Sequence, residues 1–517
     1  MQAEKATAPG GGTGAVINTG GDTDAVPNRL NYTTSPPIAQ VASGNGRGPQ
    51  ATPLHGADPD TLLTESADDE GSAQCVYFLY GEQFKYCDAY GWTFYNGRFW
   101  DAINADARLT RAIVDTLKRR RVEAVRNDRE AIVKATKPST RNVRQCQYLF
   151  QSLVSTDVSE FDKFPDLLNC QNGVVDLRTG RLTPHSPKQM FTYALPIAYD
   201  PNADMTPWTD FLADVLNDDQ EMIQYLQTAI GYSLTGSTRE EVMFYIHGPT
   251  RAGKGVFIET ISTMMGKKPL AVEVDFGTFT ATRDGDTQNF DLAPLKPCRF
   301  IAASESSKYR QLNAEVLKRV VGGNDIRCAY KRKTHFEYRP QFKVWLVSNY
   351  PVNADPDQAA LWAKVRVITF PNSYLGRENK YLKEEMKQPD VLRGVLRWAI
   401  EGSIRWYGLP RKTGLVAPQQ VADATEQARQ DIDYVGQWLD EEVYKTDDPN
   451  DFVSNKTLYF SYETWCKESG VPPKKMAGLT ASLKCKGYDA GVQKKIAGTN
   501  QRGCTGIELI SLAGMIS

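Results

Sequence analysis

Residues 242–266 read VMFYIHGPTRAGKGVFIETISTMMG, and the fold of the chain depends on this stretch. The mostly apolar run at 242–247 predicts a buried strand. Phe257, Ile261 and Met264 share one face of a helix predicted over residues 254–265. A glycine-containing loop at 248–255 joins the two elements. Strand, glycine-rich loop and helix form the context in which backbone N–H groups and a helix N-terminus bind phosphate.

The loop matches the phosphate-binding pattern Gly-x4-Gly-Lys through Gly248, Gly253 and Lys254. The last place of that pattern holds Ser or Thr, whose hydroxyl binds Mg²⁺, but this chain has Gly255. The alternative interpretation is an ordinary turn after a strand. The predicted ATP-binding residues are Gly248, Pro249, Thr250, Arg251, Ala252, Gly253, Lys254, Gly255 and Val256.

The composition bounds the class of protein. A chain of 517 residues with 41% hydrophobic residues predicts more than one domain with a real core. The net charge of −1 means that any nucleic-acid binding must come from local basic patches. The nine cysteines form no CxxC pair, which favours a reducing cytoplasm and no zinc module. With no apolar run long enough to span a bilayer, no membrane partner is expected.

The region before the loop divides into two predicted parts. Residues 1–72 are rich in Gly, Ala, Thr, Pro and Asp, and we predict a disordered tail. Residues 73–205 predict an α/β adaptor domain with turns at Asn96-Gly97 and Asn172-Gly173. A helix over 105–126 carries a basic run at 118–121, which either touches phosphate or, as the favoured reading, lies on a solvated face.

Three features after the loop suit an ATP-driven motor, predicted over residues 206–413. An apolar strand ends in Ser304 and Glu305, where a carboxylate can reach a metal or an attacking water. A second strand ends in Asn349, whose amide can bond a phosphate or that water. Between them, residues 326–338 predict a hairpin with a basic tip that can hold a nucleic-acid backbone or form a solvated loop.

The C-terminal end, residues 449–517, predicts two helices followed by a strand pair, after a helical linker over 414–448. This order is that of a winged helix, and the basic residues concentrate in its second helix and wing. The alternative is a protein-docking domain with incidental lysines. The predicted DNA contacts of this region are Lys474, Lys475, Lys484, Lys494 and Lys495.

Taken together, the chain resembles superfamily 3 helicases, in particular the helicase half of the phage/plasmid and poxvirus-type primase–helicases. The segments that carry the resemblance are NGVVDLRTGRLTPHSPKQ (172–189), GPTRAGKG (248–255), LAPLKPCRFIAASE (292–305), LNAEVLKRVVGGNDIRCAYKR (312–332), FKVWLVSNYPV (342–352) and VLRWAIEGSIRWYGL (395–409). The resemblance implies a P-loop AAA+-like superfamily 3 motor with an N-terminal α/β adaptor (collar) domain and a C-terminal winged-helix domain.

The resemblance also implies roles for single residues. Lys254 would neutralise the phosphates of ATP, Glu305 would be the Walker B acid that holds Mg²⁺, and Asn349 would be the polar sensor. The basic residues that correspond to the DNA-facing helix and hairpin are Lys318, Arg327, Lys331, Lys333 and Arg332.

The implied partners are single-stranded DNA, replication-fork DNA and further copies of the chain in a hexamer that moves 3′ to 5′. No Asp-x-Asp pair follows an apolar strand, so we expect no primer synthesis by this chain and name a separate primase as a candidate partner. The expected location is the cytoplasm, that of the host cell if a virus encodes the chain.

Three departures from the family pattern leave a second hypothesis open. Gly255 lacks the metal-binding hydroxyl, Glu305 is a single acid, and the usual Arg pair after Trp is replaced by Lys364 and Arg366. Either of these two would supply the arginine finger, with Arg366 favoured. The first hypothesis is a helicase for replication of a phage or plasmid, and the second is an ATP-binding initiator or loader with little hydrolysis. A nucleotide kinase is disfavoured by the basic hairpin and the terminal domain.

Overall fold

The structure, a computed structural model, describes residues 50–53, 59–280, 295–304, 310–328, 335–446, 448–496 and 498–510. Glu305 and the predicted hairpin tip, Lys331, Arg332 and Lys333, therefore lie outside the described residues. No helix in the described ranges is both long enough and apolar enough to cross a membrane.

The N-terminal region packs helices against a small antiparallel sheet in the order β1-β2-β3. Its elements are α1 (Pro59–Thr64), α2 (Asp69–Tyr80), β1 (Phe84–Cys87), β2 (Gly91–Tyr95), β3 (Trp100–Asp101), α3 (Ala105–Arg126), α4 (Glu130–Ala135) and α5 (Thr140–Val154). Helix α3 has the predicted bounds, and the Asn96-Gly97 turn joins β2 to β3, with Gly97 at φ 95°.

Ordered structure begins earlier than the sequence predicted. Residues 59–72, assigned to a disordered tail, include α1 and the start of α2. Leu62 is fully buried, and the Cys75 thiol of α2 lies 3.9 Å from its carbonyl oxygen. The prediction failed because this segment is polar on average, yet Leu62 packs in the core and Arg120 donates to its carbonyl oxygen at 2.9 Å. The remaining residues of the predicted tail, 1–49 and 54–58, lie outside the described residues.

A second antiparallel sheet, in the order β4-β5-β6, precedes two helices. These elements are β4 (Leu167–Cys170), β5 (Gly173–Asp176), β6 (Arg181–Thr183), α6 (Thr206–Val215) and α7 (Gln220–Leu234). The Asn172-Gly173 turn joins β4 to β5, as predicted from the sequence.

The centre of the chain is a five-stranded parallel sheet in the order β13-β7-β12-β9-β8. The elements of this region are β7 (Met243–His247), α8 (Lys254–Met264), β8 (Ala271–Glu273), β9 (Phe300–Ser304), α9 (Ala314–Val321), β10 (Ile326–Cys328), β11 (Phe336–Tyr338), β12 (Lys343–Ser348), α10 (Ala359–Trp362), β13 (Val365–Thr369), α11 (Leu382–Glu385) and α12 (Pro389–Gly408). A parallel sheet with helical crossovers is the architecture that the alternation of strands and helices predicted. The α/β fold and its parallel motor-like sheet are therefore confirmed.

Aromatic side chains hold helix α8 on this sheet. Trp345 of β12 stacks on Phe244 of β7 with ring centroids 4.1 Å apart, and Phe257 of α8 lies 6.1 Å from the same indole. On its other side, Phe257 stacks on Trp208 of α6 at 5.6 Å. Each of these rings is fully buried, so the start of α8 has a fixed position above the carboxyl ends of the strands.

The C-terminal region has its own hydrophobic core around Trp438 and Tyr462. It follows α13 (Gln419–Gln430), which packs on β13 of the central sheet. The elements of the C-terminal region are α14 (Tyr434–Glu442), β14 (Val443–Lys445), β15 (Phe452–Ser454), α15 (Asn455–Glu468), α16 (Met476–Cys485), β16 (Asp489–Ile496), β17 (Thr499–Thr505) and β18 (Ile507–Leu509). Two helices followed by the β16–β17 hairpin form the element order that the sequence predicted.

Candidate nucleotide-binding site

The backbone of the loop between β7 and α8 requires glycine at two positions. A side chain at Gly248 would bring its Cβ to 2.2 Å from the carbonyl oxygen of Phe370, so the loop passes too close to β13 for any other residue. Gly253 has φ 86° and directly precedes α8, a backbone conformation that L side chains rarely adopt. The backbone is therefore shaped as a cradle at the start of a helix, which is the form that binds phosphate.

Of the charged residues that the structure describes in this loop, only Lys254 is buried, with 5% of its side chain exposed. Its Nζ donates to the carbonyl oxygens of Gly248 at 2.7 Å and Pro249 at 2.6 Å, and to Oδ1 of Asn349 at 2.8 Å. Burial lowers the pKa of Lys254 from its usual 10.5 to about 8. A buried cation held only by neutral dipoles is an attractive position for an anion.

Asn349 reaches Lys254 because β12 and β7 are parallel neighbours. Ser348 at the end of β12 is in register with His247 at the end of β7, so the residues that follow both strands meet at one edge of the sheet. Burial and the charge of Lys254 also lower the pKa of His247, which keeps its imidazole neutral near pH 7. The structure thus brings together Lys254 and Asn349, two of the predicted catalytic residues.

The fit of this loop to the phosphates of a nucleotide is good, but its fit to a metal is incomplete. Gly255 is exposed, and an added Cβ there would meet no atom within 4 Å. In the described ranges, no group of three or more His, Cys, Asp or Glu side chains could hold a metal ion. The described part of the loop can therefore bind phosphate through Lys254 and backbone N–H groups, but it lacks at residue 255 the hydroxyl that usually binds Mg²⁺.

Sequence reasoning missed a segment that covers the loop, residues 372–378, which we name the strap. Ser373 Oγ donates to the carbonyl oxygen of Thr250 at 2.9 Å, and the Tyr374 N–H donates to that of Arg251 at 3.1 Å. Glu378 lies 3.8 Å from Arg251 in an ion pair. The strap follows β13 directly, and its polar sequence carries no signal beyond that of an ordinary surface loop.

The two candidate finger residues lie away from the loop. Arg366 is in register with Phe244, four residues before Gly248, which places it roughly 13 Å along the strand from the loop. It donates to the carbonyl oxygens of Ala363 at 2.9 Å and Val365 at 2.8 Å, while Lys364 is ion-paired with Glu241. Neither side chain serves the nucleotide loop of its own chain.

The predicted DNA contacts of the motor are only partly within the described residues. Lys318, on α9, donates to Oε1 of Gln358 at 3.1 Å. Arg327, on β10, is exposed and lies opposite Glu337 of β11. The β10–β11 pair forms the base of the predicted hairpin.

Of the predicted DNA contacts in the C-terminal region, Lys474 differs from expectation. Its Nζ lies 3.2 Å from Oδ1 of Asp355 and 2.9 Å from Oδ2 of Asp357, both in the segment that follows Asn349. Lys486 pairs with the same Asp357 at 3.6 Å. Lys474 is therefore engaged by the motor and is not free for DNA, because sequence spacing could not show that the two regions pack together.

The other four lysines face outward or make only local contacts. Lys475, Lys484 and Lys495 are exposed and form no ion pair with any residue in the described ranges. Lys494 donates to the carbonyl oxygen of Asn450 at 2.8 Å. These lysines remain candidates for a nucleic-acid surface.

Comparison with known proteins supports the resemblance read from the sequence. Residues 73–217 match the family described as D5 N terminal like, and residues 246–360 match a family of unknown function, DUF5906. The chain is 22% identical over 326 residues to "Putative helicase L207/L206" of Acanthamoeba polyphaga mimivirus, covering 59% of this chain and 33% of that protein. It is 23% identical over 370 residues to "Putative helicase 121R" of Invertebrate iridescent virus 3, covering 66% of this chain and 39% of that protein.

Among solved structures, the apo structure of the NrS-1 C terminal region aligns with a TM-score of 0.47 and 11% identity, covering 85% of this chain and 100% of that one. The chain spans 33% and 39% of the length of the two viral relatives. The D5-type domain and the nucleotide loop fall in consecutive matched segments, in the order expected from the sequence. The predicted resemblance is thus confirmed: the chain carries a segment that matches the D5 N terminal like family followed by one that matches DUF5906, and it is homologous to viral proteins named putative helicases.

Proposed function

We propose that the chain is an ATP-driven DNA helicase that acts in replication of a phage, plasmid or virus. The observation that carries this proposal is the contact between Lys254 and Asn349 inside a glycine-shaped loop at the edge of a parallel sheet. The names of the viral relatives agree with it.

In the proposed cycle, the Lys254 ammonium exchanges the carbonyls of Gly248 and Pro249 for the phosphates of ATP. The phosphates gain a nearby cation, and the desolvated cation gains the anion that it lacks. Asn349 then lies beside the terminal phosphate, where its amide reports whether that phosphate is present. Mg²⁺, when bound, would neutralise charge on the phosphates, held by Glu305 and water in place of a hydroxyl at residue 255.

The finger must come from a second copy of the chain, since Arg366 and Lys364 lie far from their own loop. This requirement supports a ring, for which six copies and 3′-to-5′ movement are the family's pattern. In that ring the base of the β10–β11 hairpin would face single-stranded DNA. The C-terminal region would act as a winged helix on fork DNA through its exposed lysines, and the chain would divide after its N-terminal segment into the adaptor, motor, linker and terminal domain set out above.

Two observations favour a second candidate, an ATP-binding initiator or loader. Gly255 leaves the metal without its usual hydroxyl, and both finger candidates are held by groups of their own chain. Such a protein would bind ATP and DNA and turn over slowly, because an arginine finger is worth roughly 10³-fold in rate.

The test compares steady-state ATP hydrolysis of the wild type and Lys254→Ala, with and without single-stranded DNA. Lys412→Ala is the matched control, since Lys412 is exposed and forms no ion pair with a described residue. We expect DNA-stimulated hydrolysis in the wild type and control, and none in Lys254→Ala. Equal rates of ATP hydrolysis in all three proteins, together with intact DNA binding, would refute the helicase hypothesis and leave the hypothesis of an initiator or loader. Unwinding of duplexes with either a 3′ or a 5′ single-stranded end then gives the direction.

A further inference from the structure

Helix α3 borders a cavity of about 570 Å³ in the D5-type region, remote in sequence from the nucleotide loop. Arg108, Arg111 and Arg119 line it together with Asp115 and Tyr80. Their spacing of three, four and four residues along α3 places the four charged side chains on one face of the helix. We name this feature the arginine groove.

The single carboxylate of the arginine groove is already satisfied. Oδ2 of Asp115 accepts from Nε of Arg119 at 2.7 Å and from the hydroxyl of Tyr80 at 2.8 Å. Arg108 lies over the ring of Phe94 at 4.9 Å, and neither it nor Arg111 forms an ion pair with a residue that the structure describes. The groove therefore has a net positive charge with two guanidinium groups available to a ligand.

The arginines of the groove differ from Arg120, their neighbour in the basic run at 118–121. Arg120 is fully buried and donates to the carbonyl oxygens of Leu62 at 2.9 Å and Glu65 at 2.6 Å, so it holds α1 in place. Lys118 points outward and is exposed. Arg120 therefore has a structural role. In the described contacts, the side chains of the three arginines of the groove donate to no backbone carbonyl oxygen.

We propose that the arginine groove binds the sugar–phosphate backbone of single-stranded DNA. The two available guanidinium groups, Arg108 and Arg111, are three residues apart, about 4.5 Å along the helix, and the ion-paired Arg119 lies about 16 Å from Arg108. A phosphate backbone that runs along α3 can contact the first two and continue past the third. The volume is that of an ordinary ligand cleft. Tyr80 lies buried with its hydroxyl on Asp115, so it offers no exposed ring on which a base could stack, and we expect the contacts to fall on the backbone.

The role of this groove rests on the proposal that the chain acts on DNA. The test of the groove is a DNA-binding assay that is carried out without ATP. The binding of a fluorescein-labelled oligothymidylate to the full chain is followed by anisotropy between about 50 mM and 200 mM salt. The variant is Arg108→Ala/Arg111→Ala. The matched control is Lys118→Ala/Arg126→Ala, which removes the same charge from α3 outside the groove.

We expect the groove variant to bind more weakly by at least about tenfold at low salt. The slope of log K against log salt should be shallower by about 1.4, since each lost phosphate contact on a single strand removes about 0.7. Equal affinity and slope in the two variants would overturn the proposal. A second result would also overturn the proposal, in favour of a nucleotide site. In that case ATP would displace the labelled oligothymidylate at lower concentration than unlabelled DNA does, and this displacement would be lost only in the groove variant. If Lys254→Ala leaves ATP hydrolysis unchanged, the ATP-driven motor is refuted, but the measurement of DNA binding by the groove is not affected.

Discussion

Nucleotide affinity should fall steeply as the pH rises through the pKa of Lys254. With a pKa of about 8, about 90% of the Lys254 side chains carry a charge at pH 7 and about 10% at pH 9. If only the charged form attracts phosphate, ADP should bind about tenfold more weakly at pH 9 than at pH 7. A lysine with its usual pKa of 10.5 would lose only about 3% of its charge over the same range.

The assay is isothermal titration of ADP from pH 7 to pH 9 at constant ionic strength. The sign follows from burial, which disfavours the charged form and lowers the pKa, so that the loss comes on the alkaline side. His247 does not confound the window, because its pKa lies below 6.5 and the imidazole is already neutral. Lys254→Met, measured at higher ADP concentration, should bind weakly with no pH dependence. A flat wild-type profile would refute the reasoning that the loop holds a desolvated lysine.

Three further outcomes follow from the contacts described above. Gly255→Thr should lower the Mg²⁺ concentration for half-maximal ATP hydrolysis by about tenfold, because the site has room for the side chain and a bond to a charged group is worth ~1.5 kcal/mol; an unchanged Mg²⁺ titration would show that the metal does not approach residue 255. Asp355→Asn/Asp357→Asn should remove both carboxylate partners of Lys474, which tightens DNA binding and steepens its salt dependence by about 0.9; weaker binding would contradict this. Leu62→Ala should cost about 2–5 kcal/mol of unfolding free energy in the D5-type region, measured by urea denaturation, as for any buried leucine; a change below 0.5 kcal/mol would mean that α1 is not part of the core.

The sequence was sufficient for the central sheet and the core of its site. A short apolar strand, a loop with glycine at two fixed places and an amphipathic helix are each local features, and β7 and α8 appear where they were predicted. Lys254 and Asn349 were each predicted as site residues, and the structure shows that they meet because β7 and β12 are neighbouring parallel strands that end at one edge of the sheet. These features depend on patterns within a few residues and on one topological rule.

Features that depend on contacts between distant segments could not be predicted. The strap bonds the loop through main-chain carbonyls, which any sequence offers. Arg120 and Arg119 stand side by side in the chain, yet one is buried under α1 and the other lines a cavity. Lys474 has the composition of a DNA contact, but its partners are 117 and 119 residues away. Charge alone cannot distinguish a lysine that awaits a ligand from one that already has a carboxylate.

Asn349 and the carboxylates that hold Lys474 lie on one short segment of backbone. Six residues after Asn349, the chain is fixed again, since the carbonyl oxygen of Asp355 accepts from the Trp362 indole at 3.0 Å and that of Pro356 accepts from Arg429 at 2.9 Å. Six residues span at most about 20 Å when fully extended. A short tether that is fixed at both ends passes on a displacement instead of absorbing it. We therefore expect a movement of Asn349 toward a phosphate to displace the carboxylates that hold Lys474, which would couple the C-terminal region to the nucleotide loop through one short piece of backbone.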